Sequence, residues 1–377
     1  MADKFHGGQK CLPHCMTPIR FGLIGYGLFG AHHGRAIANT AGAELRAIAV
    51  VSDESRAKAA ESHPGVAVYA DYRELLARDD IDAVSVAVPN RWHHEVGRAV
   101  LASERHLLLE KPMALTLADC DDLVELAERH ELVLAVGHEL RVSSLWGGVK
   151  QLIAEGAIGQ PRAALVELSR FPYRPGSAGW RYDRERVGSW ILEEPIHFFD
   201  LARWYLAGSG EAVSIYARAN SRQLDRPELH DHFTATVGFA DGAFATIVQS
   251  LSAFGHHQTV KVSGTSGTIW AQWSAADARA PKPTFSLRYG LADSVREMSF
   301  VKPTGELLEL ADEIAAFVHS IQTGEPPPCT GSDGRWSALL CLAAEESVRR
   351  GSEVAIEDFI AAKPNASLPA EPVVSPA

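Results

Sequence analysis

Short apolar runs alternate with longer amphipathic stretches through the first third of the chain. Ile19 to Ile24 is an apolar run of β character, and an alanine- and histidine-rich helical stretch follows to about Asn39. Leu45 to Val51 reads as a second strand, and Asp71 to Arg78 as a short helix whose acidic start suits the helix dipole. Ile81 to Val88 is a largely apolar strand ending at Pro89-Asn90. After it come a helix over Trp92–Ser103, a strand over His106–Leu109, a helix over Thr116–His130 and a strand over Leu132–Val136. Strands spaced by helices of this length predict βαβ units and a parallel sheet. The first domain, α/β, is expected over residues 19–140.

The pattern then changes. Val142 to Glu155 has helical periodicity, and a glycine-rich turn leads into a strand over 162–169. Residues 189–206 read as a helix; strands at 211–219, 231–239, 243–251 and 258–263 alternate polar and apolar positions. Ala240-Asp241-Gly242 is a hairpin signal, and helices are expected near 306–323 and 334–350. The second domain, 141–360, is therefore expected to be α+β with a large open, mostly antiparallel sheet, its final helices reaching back to the first domain. An uncovered sheet face is commonly buried by a second copy, which predicts a homodimer or homotetramer. Residues 1–18 read as a flexible leader, and 361–377, rich in Pro, Ala and Ser, as a disordered tail.

Composition adds exclusions. A chain of 377 residues has length for two domains, and 46% hydrophobic with 22% charged residues is ordinary for a globular protein. The net charge of -11, from 36 basic and 47 acidic side chains, argues against nucleic acid or an anionic membrane as partner. No apolar run approaches the roughly 20 residues of a membrane span. The leader lacks the apolar core of a signal peptide, and five scattered cysteines fit reduced thiols, so a cytoplasmic location is expected.

The first chemical signal is Gly25-Tyr26-Gly27-Leu28-Phe29-Gly30, a G-x-G-x-x-G turn between the first strand and first helix. Such glycines let the backbone turn tightly and approach a pyrophosphate, whose charge the helix amides receive. Ser52 and Asp53 close the second strand about 20 residues on, where an acid accepts hydrogen bonds from an adenosine ribose. This favours NAD over NADP, although Arg56 nearby could accommodate a 2′-phosphate. The second signal is Leu107-Leu108-Leu109-Glu110-Lys111-Pro112, a core strand that stops on a lysine where open parallel sheets place their ligands.

These stretches, with Pro89-Asn90-Arg91-Trp92-His93 and the segment Gly188 to Asp200, resemble the glucose–fructose oxidoreductase / inositol dehydrogenase (Gfo/Idh/MocA) family over about Ile19–Asp358. The resemblance implies a Rossmann domain followed by an α+β domain whose open sheet mediates oligomers. It implies NAD(P)-dependent oxidation or reduction of a secondary hydroxyl on a sugar, glycoside or cyclitol. It places Lys111 between nicotinamide and substrate, Pro89, Asn90, His93 and Glu110 along the cofactor, and His197 as acid/base. The carboxylate four residues before His197 is Glu193, where the family usually has aspartate; Glu194 is adjacent and could substitute.

A base near the carbinol is required because hydride leaves only as the hydroxyl loses its proton. His197 could hold that proton, and Lys111 could stabilise charge on the oxygen. Pro195 is tolerated only in a first helical turn, which puts the helix start at Glu193 or Glu194. Trp180, Arg181 and Tyr182 form a polar-aromatic loop suited to a sugar ring. Convergence of Arg170, Arg174 and Arg181 would suggest an anionic substituent. No metal is expected: Cys11/Cys15/His14, His93-His94, His256-His257 and His230-Asp231-His232 lack a complete ligand set. Two other readings fit the same residues: glycoside cleavage through transient oxidation with bound NAD recycled, and a non-catalytic NAD-binding regulator.

Overall fold

The computed structural model describes residues 17–362 except 224, 279, 281 and 306, so the expected leader and almost all of the expected tail lie outside the described residues. The first half runs β1 (Ile19–Ile24), α1 (Leu28–Asn39), β2 (Ala43–Ala49), α2 (Asp53–Ser62), β3 (Ala67–Tyr69), α3 (Tyr72–Leu76), β4 (Ala83–Val86), α4 (His93–Ala102), β5 (His106–Glu110), α5 (Leu117–Arg129) and β6 (Leu134–Gly137). These strands form one parallel sheet in the order β3-β2-β1-β4-β5-β6. The order reverses between β1 and β4, which opens a crevice beyond their carboxyl ends. Val84, Val86, Leu107 and Leu109 are fully buried, because helices cover both faces of a parallel sheet.

The second half runs α6 (Trp146–Ala154), β7 (Pro161–Arg170), α7 (Arg184–Val187), α8 (Trp190–Glu193), α9 (Pro195–Tyr205), β8 (Ala212–Asn220), β9 (His232–Phe239), β10 (Phe244–Ser250), β11 (His256–Gly264), β12 (Thr268–Ala275), β13 (Thr284–Gly290), β14 (Arg296–Glu297), α10 (Leu310–Thr323), α11 (Gly331–Arg350), β15 (Val354–Ala355) and α12 (Ile356–Ala361). Its nine-stranded sheet has the order β14-β13-β12-β11-β7-β10-β9-β8-β15. Only β7 and β10 pair in parallel; the other neighbours are antiparallel. The expected hairpin joins β9 to β10, with Gly242 at φ +85 and Asp241 accepting the amide of Ala243 at 2.9 Å. One face is buried under α6, α9 and α11; the other leaves Tyr216, Phe244 and Trp270 exposed.

Two late elements return to the first sheet. Leu310, Ile314, Phe317 and Val318 of α10 pack with Phe21, Leu23, Ile37 and Ile48. Burying a side chain such as Phe317 contributes on the order of 2 kcal/mol. Before α11, the segment 327–330 lies beside β6, where the Val136 amide donates to the Cys329 carbonyl at 3.1 Å. Thr330 and Asp333 then start α11 with a reciprocal capping box.

Several sequence expectations need correction. The helix expected over 189–206 is two helices, because Glu194 leaves helical geometry (φ -133, ψ -39) and Pro195 restarts the chain as a first-turn residue. The stretch expected as one helix from Val142 is a 3₁₀ turn over Glu139–Val142 followed by α6. The nearly uniformly polar α2 and the strands β3 and β12 to β14 were not anticipated. β12 to β14 follow β11 as a meander of consecutive antiparallel pairs, and β12 alternates buried Ile269, Ala271 and Trp273 with exposed Trp270 and Gln272.

Candidate active site

The glycine turn supplies the dinucleotide end of the site. Gly25 has φ +94, and a Cβ there or at Gly30 would collide with a backbone carbonyl, of Ala87 and of Gly25 respectively. Only glycine fits both positions. A Cβ on Gly27, the N-cap of α1, would meet nothing within 4 Å. That open space above the first turn of α1 is where a pyrophosphate would approach the helix amides. Leu28 is exposed at the helix start, and Phe29 packs edge-on against His33. Ser52 caps α2 by accepting the Ser55 amide at 3.4 Å. Asp53 begins α2 rather than ending β2; its side chain is exposed and paired with Arg56. The residues present fit a dinucleotide. Gly27→Ala is expected to leave the melting temperature within about 2 °C while weakening NAD binding about 10-fold, measured by quenching of protein fluorescence.

The chemical end lies past the carboxyl ends of β4, β5 and β6. Lys111, joined to Pro112 by a cis peptide bond, donates from Nζ to the Glu193 carbonyl at 2.6 Å. Burial alone would lower its pKa, but Glu193, Glu110, Glu139 and Glu194 outweigh that and hold the ammonium above its ordinary value. The Glu193 carboxylate accepts from Arg181 Nε at 2.5 Å and Asn90 Nδ2 at 3.3 Å. Burial would raise this acid, yet Arg181 and Lys111 pull it down to about 2. Asn90 also donates to the Val187 carbonyl at 3.0 Å. His93 bridges the carbonyls of Pro112 (2.6 Å) and Val88 (2.8 Å), tying Pro89-Asn90 to the lysine turn.

His197, buried in α9, is pushed well below its ordinary pKa by burial first, then by the charges of Lys111 and His138. It is therefore neutral at pH 7 and has a lone pair for a proton. Its Nδ1 lies 3.3 Å from His138 Nδ1 and 3.8 Å from a carboxylate oxygen of Glu139. Glu193 does not share a helix with His197, because the chain breaks at Glu194; the carboxylate beside the imidazole is Glu139. Glu194 is occupied by Arg170 and by His256 at 3.5 Å.

The loop residues divide. Arg181 reaches the site through Glu193 and stacks over the Trp180 ring, with its guanidinium carbon 4.5 Å from the centroid. Tyr182 instead donates its hydroxyl to the Tyr173 carbonyl at 2.9 Å and packs edge-on against Trp190. Glu110 pairs with His33 at 2.9 Å, whose other nitrogen meets Ser85 at 3.0 Å. His138 and Glu139 were missed from sequence. Their signal was position: two polar residues directly after Gly137, at the carboxyl end of β6, on the edge that carries Lys111.

One further network fixes this arrangement. Arg141 makes a bidentate pair with Asp200 (2.7 Å to each oxygen) and donates to the Pro328 carbonyl at 2.7 Å and Asp333 at 3.0 Å. It thereby ties the turn carrying His138 and Glu139 to α9, which carries His197, and to α11. Among the described residues, His138, Asp200 and Cys329 bring a possible ligand atom each within 4.8 Å of one another. Both oxygens of Asp200 are already engaged by Arg141, a cation that would repel a metal ion.

A parallel nucleotide-binding sheet joined to an open-sheet domain, with lysine and histidine at the junction, defines a dinucleotide-dependent oxidoreductase architecture. A family model described as "Oxidoreductase family, NAD-binding Rossmann fold" matches residues 19–138, and the GFO/IDH/MocA C-terminal domain matches 147–270. The chain belongs to the Gfo/Idh/MocA family of oxidoreductases. It is 31% identical to the uncharacterized oxidoreductase YrbE of Bacillus subtilis, across 89% of this chain and 96% of that one. It is 28% identical to a myo-inositol 2-dehydrogenase of Thermotoga maritima (91% and 100% covered) and 30% identical to a 1,5-anhydro-D-fructose reductase of Ensifer adhaerens (90% and 98% covered). Among the described residues, no helix is long and apolar enough to cross a membrane.

Proposed function

We propose that this protein is an NAD-dependent dehydrogenase acting on a secondary hydroxyl of an uncharged cyclic sugar, glycoside or inositol. The observation that carries this reading is the pairing of Lys111, charged at neutral pH and held by the Glu193 carbonyl at 2.6 Å, with a neutral, buried His197 whose pKa the lysine helps to depress. Nicotinamide, when bound, supplies the acceptor or donor of hydride. Lys111 binds the reacting oxygen and stabilises the negative charge that builds there. His197 takes the hydroxyl proton in oxidation and returns it in reduction. Glu193 holds Lys111 through its carbonyl and Arg181 through its carboxylate, and Asn90 braces it. Asp53 would accept hydrogen bonds from an adenosine ribose, which favours NAD over NADP.

The arginines support a neutral substrate. Arg170 is matched by Glu194, Arg181 by Glu193 and Arg174 by Asp277 at 3.4 Å, so this loop carries little net positive charge for an anion. Two of the relatives are named for uncharged rings, a cyclitol and an anhydro sugar. The exposed face with Tyr216 and Trp270 supports a homodimer or homotetramer through the second sheet.

A panel of inositols, aldoses, anhydro sugars, glycosides and acidic sugars, with NAD and NADP compared at 340 nm, tests the reading. Reduction of NAD by a neutral ring is expected; reduction by acidic sugars alone would remove the neutral-substrate assignment. Release of aglycone without net NADH would favour the cleavage chemistry instead. His197→Asn is expected to lower kcat by about 10²- to 10⁴-fold. Oxidation by the wild type should stay flat through neutrality and decline only well below pH 6.5, because the base must be unprotonated and its pKa is depressed.

A further inference from the structure

Behind His197 lies a cavity of about 10 Å³, lined on its polar side by His138 and Glu313 and otherwise by groups such as Leu108, Val136 and Phe317. His138 is 2% exposed and Glu313 7% exposed. Each leaves one buried atom, Nε2 and Oε2 respectively, without a hydrogen-bond partner among the described residues. A volume of about 10 Å³ suits one water, and a water there would satisfy both atoms. The opposite edge of the His138 ring faces His197, with Nδ1 to Nδ1 at 3.3 Å. His138 therefore stands between the candidate acid/base and the cavity.

We propose that His138, one water in this cavity and Glu313 form a proton relay serving His197. The proposal rests on the assignment of His197 as acid/base. When both rings are neutral, the Nδ1–Nδ1 contact allows one proton between them. A His197 whose Nε2 is free to accept carries that proton on Nδ1 and donates it to His138 Nδ1. His138 then carries its own proton on Nε2, directed to the water.

In oxidation the substrate O–H breaks and an N–H forms at His197 Nε2. The His197 Nδ1 proton passes to His138 Nδ1, the His138 Nε2 proton passes to the water, and the water gives a proton to ionised Glu313 Oε2. Each bond broken is matched by one formed and no electrons move along the relay. The hydride leaves the carbon separately, for the nicotinamide dinucleotide that serves as oxidant. Reduction runs the same transfers backwards from protonated Glu313.

The surroundings suit this task. Burial holds His138 and His197 below their ordinary values, so neither ring retains the proton. Around His138, Asp200 and Glu110 favour protonation while Arg141 and Lys111 oppose it. After burial, Lys111 and His138 lower His197, and a Glu139 carboxylate oxygen lies 3.8 Å from its Nδ1. Burial first, then the charge of Glu110, raises Glu313 well above the usual carboxylic range, which favours the protonated form that ends the relay in oxidation and starts it in reduction. Glu110 is itself held by His33.

The full chain labelled with ¹⁵N-histidine, in saturating NAD, gives a readout independent of turnover. His138 is expected as the Nε2–H tautomer and His197 as the Nδ1–H tautomer from pH 6 to 8, with the His138 Nε2 signal moving in Glu313→Gln. The opposite tautomer at His138 overturns the relay. In kinetics with a polyol from the panel, Glu313→Gln and His138→Gln are each expected to lower kcat about 10-fold, leave KM within about twofold and raise the solvent deuterium isotope effect. Wild-type kcat, pH profile and isotope effect in both variants also overturn it. A His197→Asn variant with wild-type rate would instead sink the underlying acid/base assignment, so the two failures are distinguishable.

Discussion

Lys111→Met is expected to lower kcat by about 10²- to 10³-fold while NAD binding changes little, the loss typical of removing one donor to developing oxyanion charge. Methionine keeps the length and apolar stem of lysine but not its charge. Burial works against that charge, and the four surrounding carboxylates, Glu193, Glu110, Glu139 and Glu194, overcome it. The folded pKa therefore lies above the ordinary value of 10.5, so Lys111 stays protonated throughout the neutral range. Its contribution to stability is complete below the unfolded pKa and is lost as pH rises through the folded one. Steady-state rates with the best polyol, beside a fluorescence titration with NAD, would check this. A variant retaining a third of the wild-type rate would take Lys111 out of the chemistry.

The second large effect concerns stability. Arg141→Met is expected to cost about 3–5 kcal/mol, because Asp200, 2% exposed, would be left as an uncompensated buried charge. Thermal denaturation should show a drop of roughly 6 °C or more. The double variant Arg141→Met/Asp200→Leu should recover part of that loss, since a buried pair replaced by apolar groups often costs little. Burial would raise the Asp200 pKa, but Arg141 lowers it below the ordinary value. This group therefore stabilises the fold above its unfolded pKa and ceases to do so as pH falls through the folded value. Glu193 follows the same sign, its contribution disappearing between about 4.5 and about 2. Acid denaturation should thus be less steep in an Arg141→Met/Asp200→Leu background. Equal melting temperatures for Arg141→Met and wild type would show that the pair carries no net stability.

What the sequence made legible was local. The Gly25–Gly30 turn and its flanking strand and helix declare themselves because each glycine answers a steric demand within a few residues. Lys111 stood out because an apolar run stopped on it. The pairing of Glu193 was less legible: an acid four residues before a histidine suggests one helical face, whereas the break at Glu194 turns the Glu193 carbonyl to Lys111 and its carboxylate to Arg181. No local pattern reveals that Glu139 and His138, some 60 residues upstream, are the groups beside His197. The strand β12 was legible in principle, since Ile269, Ala271 and Trp273 alternate with exposed neighbours, whereas β14 is only two exposed residues long and carries no such pattern.

The segment around Cys329 carries a consequence for modularity. Its carbonyl receives the Val136 amide of β6, Thr330 forms a bridge with Ala135, and α10 just before it covers Phe21 and Leu23. Residues from the last fifth of the polypeptide thus act as part of the outer wall of the nucleotide-binding half. A nascent chain that has emerged only through β6 would still expose the apolar surface that Phe317 later covers. Exchange of cofactor domains between related proteins would therefore need one crossover on each side of the substrate domain's insertion and a third after the Cys329 segment, so that α10 and this segment travel together with β1 to β6.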